Sequence, residues 1–232
     1  LPMRLRLEPR PEPSRLAGWL SPVVAMLAVL AIGFLLFSAM GKNPWEAMYV
    51  FFIEPVDTLY DFGELLLKAS PIMLCAVGLA IGYRANVWNI GAEGQFLLGV
   101  LTGGGVALWL TTSGIVLPKV IAVTLVLVCS VLGGMAWAGL TALLRDKFNA
   151  SEILVSLMLV YVAQQLVNYM VFGPWKDPAG FNFPQTKNFD ASTWLPNLMS
   201  GTRMHIGFLI ALALVVLAWV FMFRLFRGYQ LQ

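Results

Sequence analysis

Long apolar stretches separated by short polar ones recur from one end of the chain to the other. Six stand out, at about 17–40, 62–83, 89–110, 118–144, 149–172 and 206–223. Each approaches or exceeds the roughly 20 residues that a helix needs to cross a bilayer. None shows the alternation over about ten residues that marks a barrel strand. Hydrocarbon offers backbone N–H and C=O groups no water, so a spanning element has to satisfy them internally, and runs of this length select helices. The pattern predicts an all-α fold, a polytopic transmembrane helix bundle of about six spans.

The polar positions divide the chain further. Residues 1–16 carry Arg4, Arg6, Arg10 and Arg15 and prolines at 2, 9, 11 and 13, and read as an irregular cytoplasmic tail. The apolar run behind this tail is long enough to span and ends in no clear small-residue cleavage site, so it reads as a span rather than a leader. Residues 17–226 read as a transmembrane domain, in part, and 227–232 as the start of a cytoplasmic segment. Between the first two spans, 42–61 is acidic and aromatic, with Glu46, Glu54, Asp57 and Asp61 beside Trp45, Tyr49, Phe51, Phe52 and Tyr60. That mixture suits a short helix in the headgroup layer. Pro71 predicts a kink or an interruption in the second span. Gly78 with Gly82, and Gly133, Gly134 and Gly139, predict close helix packing. Pro118 opens the fourth span, Arg145-Asp146-Lys147 form a short charged loop, and Asn149 with Glu152 three residues on predicts a capping box for the fifth.

Composition agrees with the pattern: 59% of residues are hydrophobic and 12% charged, against about 25% charged in soluble domains. The net charge of +3 implies no nucleic-acid partner, because the basic residues cluster beside spans. Their placement orients the chain instead. With the N-terminus inside, Arg4, Arg6, Arg10, Arg15, Arg84, Arg145, Lys147, Arg224 and Arg227 fall inside, and Lys42, Lys119, Lys176, Lys187 and Arg203 outside. Cys75 and Cys129 sit in apolar runs and read as small packing residues, and His205 stands alone, without the company that a metal site needs.

One polar run breaks the third span. From Gly82 to Phe96 the chain carries Arg84, Asn86, Asn89, Glu93 and Gln95 where a span should be starting. In a helix, Asn86, Asn89 and Glu93 share a face, and Gly91 and Gly94 admit a close neighbour. A carboxylate in a membrane is costly unless paired, hydrated or functional, and discontinuous helices with polar breaks build transport passages. Two readings stand side by side. Glu93 caps a broken helix end or pairs with Arg84, and the amides act as interhelical glue; or the group lines a solute pathway. Gln164, Gln165 and Asn168 in the fifth span carry the same two readings. The candidate pathway residues are Asn86, Asn89, Glu93, Gln95, Gln164 and Asn168.

At this run the chain resembles the permease subunits of type II ABC importers of the branched-chain amino acid and simple-sugar group, and their nucleoside-like branch in particular. The motif F/Y-R-A-x-x-x-N-I-G-A-E-G-Q is matched by Tyr83, Arg84, Ala85 and Asn89 through Gln95. Glu152-Ile153, Ser156 through Leu159, Tyr161 and Asn168-Tyr169 form a second match, and Gly173 through Pro178 with Phe183-Pro184-Gln185 a third. One departure is Val160, where relatives often carry asparagine. The resemblance also implies roughly a hundred further residues, including the cytoplasmic segment that docks on the ATPase and more spans, so the chain reads as truncated at its C-terminus.

The resemblance implies a non-enzymatic transport subunit of the bacterial cytoplasmic (inner) membrane, translocating a nucleoside or a simple sugar. It implies a second permease subunit, cytoplasmic ATPase subunits and an extracytoplasmic solute-binding protein as partners within the lipid bilayer, and no cofactor. The chain has no G-x-x-x-x-G-K-[ST] phosphate loop, which leaves ATP hydrolysis to a separate subunit. An ion-coupled secondary transporter is the alternative, and it would bury carboxylates or histidines for the coupling ion. A non-transporting membrane subunit is the third possibility, and it has no need of the polar run.

Overall fold

The computed structural model describes residues 15–230. Nearly all of the expected tail over 1–16, and the end of the expected segment 227–232, lie outside the described residues. The chain divides into two compact units, Leu1–Phe62 and Gly63–Gln232.

In the first unit a long helix, α1 (Arg15–Ala39), is followed by two short ones, α2 (Pro44–Phe52) and α3 (Glu54–Asp57). The turn after α1 passes through Gly41 at φ +70°, which glycine adopts without strain. Asn43 then caps α2, its side chain accepting the Trp45 N–H at 3.1 Å, with Pro44 at the first helical position. The Trp45 ring packs edge-on against Phe34 of α1 at 5.1 Å between centroids. The Tyr49 hydroxyl donates to Asp57 Oδ2 at 3.0 Å. That bond, and the negative charge behind it, push the Tyr49 pKa up. The acidic, aromatic stretch is thus two helical pieces joined at Ile53.

The second unit takes in α4 (Leu59–Arg84), which begins just before the division, then α5 (Ala92–Ser113), α6 (Lys119–Phe148), α7 (Glu152–Phe172), α8 (Gly207–Arg224) and the short α9 (Phe226–Tyr229). Helix α5 packs against both α6 and α7. It buries Leu98, Gly99, Gly103, Ala107, Leu108 and Leu110, a face made largely of small residues. Such faces let membrane helices approach until backbones touch, because association in lipid relies on packing rather than on water exclusion. A Cβ on Gly103 would lie 3.0 Å from the Val126 carbonyl and collide with the Ser130 hydroxyl, and one on Gly133 would collide with Thr102. Thr102 Oγ1 also donates across the same interface, 2.9 Å from the Cys129 carbonyl.

Among the described residues, six helices are long and apolar enough to cross a membrane: Gly18–Ala39 within α1, then α4, α5, α6, α7 and α8. Many of their large apolar side chains stay exposed, among them Val29, Ile72, Val120, Met135, Leu154 and Leu217. A water-soluble protein does not carry apolar surface on this scale; a hydrocarbon solvent asks for it. The all-helical, polytopic bundle expected from the sequence is what the chain forms.

Pro71 lies within α4, which continues as helix on both sides of it; lacking an N–H, it leaves one bond of the helical ladder unmade. Several local expectations are corrected. Arg145, Asp146 and Lys147 are not a loop but the last turn of α6, where basic side chains complement the helix C-terminal dipole. Asn149 caps no N-terminus: it closes α6 in the left-handed conformation at φ +51°, and Ser151 is the residue that precedes α7. The polar interruption lies at the threshold of the third span. Residues 85–91 are irregular and α5 itself is continuous, so Asn86 and Asn89 share no helical face with Glu93. Asn86 adopts φ +56°, a conformation that asparagine tolerates better than most residues.

Candidate functional site

The connector 85–91 and the turn between α6 and α7 meet at one end of the second unit. Two side chains on the first turns of α7 hold the connector. Glu152 Oε1 accepts the Trp88 N–H at 2.8 Å, and Ser156 Oγ accepts the Ile90 N–H at 3.2 Å. The other oxygen of Glu152 pairs with Arg145 at the end of α6. Gly91 completes the contact: a Cβ there would lie 2.9 Å from Ser156 Cβ, so only glycine fits without a shift.

Between those two anchored peptides stands Asn89. Its Oδ1 accepts the Gly91 N–H at 2.8 Å, an Asx turn that leads the chain into α5. Its Nδ2 donates to Gln95 Oε1 at 3.2 Å. The two amides share a cavity of about 560 Å³ with Val87, Ala138, Thr141, Arg145, Asp146, Asn149 and Glu152. It is an open, polar recess at the end of an otherwise apolar bundle, with one guanidinium and two carboxylates on its wall.

The structure therefore brings Asn89 and Gln95 together and leaves the other candidates apart. Asn86 is exposed and accepts the Trp88 indole N–H at 3.2 Å. Glu93 is exposed in the first turn of α5, where a carboxylate complements the helix N-terminus. It does not pair with Arg84, whose guanidinium lies 4.8 Å over the Phe223 ring. The Arg84 Nε is buried and has no hydrogen-bond partner. Gln164 and Asn168 are exposed on α7, where Ser156, Val160 and Ala163 form the buried face. Gln164 lies about 18 Å along the helix from Glu152.

Arg145, Glu152 and Ser156 escaped the sequence reading as members of this site. A usable signal existed: opposite charges seven residues apart on either side of a short Asn-Ala-Ser turn. The capping-box pattern explained Glu152 locally and hid its long-range role.

At the opposite end of this unit, the polar segment after α7 is tied down. Asp190 N–H donates to Thr111 Oγ1 of α5 at 2.9 Å, and Arg203 forms a two-point ion pair with Glu64 of α4. Hydrogen bonds from Ser192 hold the Asp190 carboxyl below its ordinary pKa. His205 Nδ1 accepts the Gly207 N–H at 3.1 Å at the start of α8. Cys75 and Cys129 are free thiols, each half-buried.

The profile of one family, branched-chain amino acid transport system / permease component, matches residues 62–232. The chain belongs to this family. Among curated permeases of this kind, the glucose ABC transporter permease protein TsgB13 of Haloferax volcanii is 34% identical over 238 residues, covering 98% of this chain and 61% of that protein. The guanosine ABC transporter permease protein NupP of Bacillus subtilis is 25% identical, covering 94% of this chain and 62% of that protein. The nucleoside ABC transporter permease protein NupB of Lactococcus lactis is also 25% identical, covering 87% and 57% respectively. The chain thus spans about three fifths of the length of the curated relatives it matches. No solved structure shows significant similarity to it. The permease family is one of membrane transport components, which agrees with the six apolar helices.

Proposed function

We propose that the chain is a part of the membrane-spanning region of a permease subunit in an ATP-driven importer for a simple sugar or a nucleoside. The observation that carries this reading is the family match over residues 62–232, supported by relatives named for glucose, guanosine and nucleosides. A polar recess built into an apolar bundle is what such a subunit needs and what a passive anchor lacks. The partners follow from the class: a second permease subunit, cytoplasmic ATPase subunits and an extracytoplasmic solute-binding protein. The lysine and arginine bias supports an N-terminus in the cytoplasm of a cell bounded by this membrane. In that orientation the Asn89–Gln95 recess opens to the cytoplasmic side and the 173–206 segment to the outside. Asn86, Asn89, Glu93, Gln95, Gln164 and Asn168 remain the pathway candidates, with Asn89 and Gln95 foremost because they share the recess.

The test is reconstitution of the permease in its native complex with ATPase and binding protein in proteoliposomes. Labelled glucose and labelled guanosine are offered with and without ATP. Uptake of either that requires ATP and the ATPase supports the reading. Uptake driven by an ion gradient alone, without the ATPase, overturns it.

A further inference from the structure

We infer that Glu152 and Ser156 act as a two-point clamp that positions Asn89 for transport, an inference that rests on the reading of the recess as part of the solute passage. Residues four apart on a helix are separated by about 6 Å along its axis. Residues two apart on an extended chain are separated by about 6.6 Å, and their N–H groups point the same way. Glu152 and Ser156 are four apart on α7, and they accept the N–H groups of Trp88 and Ile90, which are two apart on the connector. One helical turn is thus matched to a two-residue step of the connector, and the residue between the two bonds is Asn89. With both flanking peptides held against α7, the Asn89 side chain is carried into the recess, where it meets Gln95.

The chemistry of the clamp separates two roles of Glu152. One oxygen accepts a backbone N–H and the other pairs with Arg145. The Arg145 side chain is 50% exposed, so water can solvate it when the pair is lost, and exposed pairs contribute little. The Trp88 N–H depends on the carboxylate oxygen in place. Positioning therefore rests on an acceptor, and a neutral amide of the same length serves. Glutamine at 152 keeps that acceptor; alanine removes it.

Four variants in the native transporter complex test this: Asn89→Ala, Glu152→Ala, Glu152→Gln and the double variant Asn89→Ala/Glu152→Ala. Uptake is measured in proteoliposomes, and hydrogen exchange is followed on the peptide spanning 85–91. Expected are a loss of uptake of at least about tenfold for Asn89→Ala and Glu152→Ala, and a double variant no worse than either single one, as coupled positions behave. Glu152→Gln recovers most of the uptake. Exchange of the Trp88 amide speeds up in Glu152→Ala and not in Glu152→Gln or in Asn89→Ala, whose own loss falls on the Gly91 N–H; this readout does not depend on transport and remains informative if a variant is inactive. Losses that multiply in the double variant overturn the positioning role, as does a Glu152→Gln as impaired as Glu152→Ala, or exchange unchanged by Glu152→Ala. If Asn89→Ala itself transports normally, the reading of the recess as passage fails, whatever the clamp does to exchange.

Discussion

At the scale of single residues, the membrane makes small differences consequential. Gly133 meets Thr102 with no space for a side chain, at an interface that also carries the Thr102 hydrogen bond to the Cys129 carbonyl. Gly133→Val forces α5 and α6 apart, and overpacking of this kind costs about 1–3 kcal/mol. A lowered unfolding temperature of the detergent-solubilised permease reports it, and an unchanged temperature would contradict the interface. Glu93 is a different case, exposed at the start of α5 and engaged in no ion pair of the described residues. Its removal leaves packing intact; on the proposed pathway role, Glu93→Ala is expected to lower uptake by about tenfold or more while membrane insertion and elution profile stay as in the parent protein. A variant that transports normally removes Glu93 from the passage. Residue identity alone did not separate these cases. Glu93 and Glu152 are both carboxylates at span ends, and only the fold shows that one is exposed while the other reaches across 64 positions to Trp88.

At the scale of elements, the segment between α7 and α8 is an irregular strap held at several points. It has two isolated antiparallel bridges, Lys176 with Thr186 and Asn197 with His205, and a short 3-10 turn at Ala191–Thr193. Arg203→Ala removes its ion pair with Glu64, and limited proteolysis of the intact protein then cuts faster within 173–206; an unchanged rate would show that the remaining ties suffice. The 3-10 turn adds a pH dependence with a definite sign. Asp190 has a lowered pKa because the Ser192 hydrogen bonds favour its charged form. Its contribution is fully present above the ordinary aspartate value of about 3.9 and is lost as the pH falls through the lowered value. Hydrogen exchange over 189–194 is expected to rise on acidification below that window, and Asp190→Asn to flatten the response. The elements themselves were legible, because six apolar runs admit little besides helices. Their ends were less so: α6 extends through the charged triplet to Phe148, since a helix C-terminus welcomes Arg145 and Lys147.

At the scale of the whole molecule, the orientation proposed from charge places alternate connectors on opposite sides of the membrane. Single cysteines at Val116 and Lys187 then react with an impermeant maleimide added outside, and one at Asp146 reacts only after the membrane is opened, in a background where Cys75 and Cys129 are replaced. The reverse labelling pattern overturns the N-in orientation and would turn the Asn89–Gln95 recess to the outside. The family match over residues 62–232 and the polar recess lie in the same part of the chain, and that unit carries five of the six spanning helices.

The sequence by itself determined the class of the molecule: the six spans of this stretch, helical character, family and the polar stretch on which function is proposed to rest. Each follows from local composition, because a bilayer imposes length and hydrogen-bond satisfaction on every span separately. Only the tertiary structure decided how the polar stretch is used. The N–H groups of 85–87 close back on α4 carbonyls, but those of Trp88 and Ile90 have no helix or strand to satisfy them, so they take acceptors from α7, more than sixty positions away in sequence. That pairing depends on α5 lying close enough to α7 for Gly91 to touch Ser156. It is a property of packing between helices, which no periodicity within one helix records.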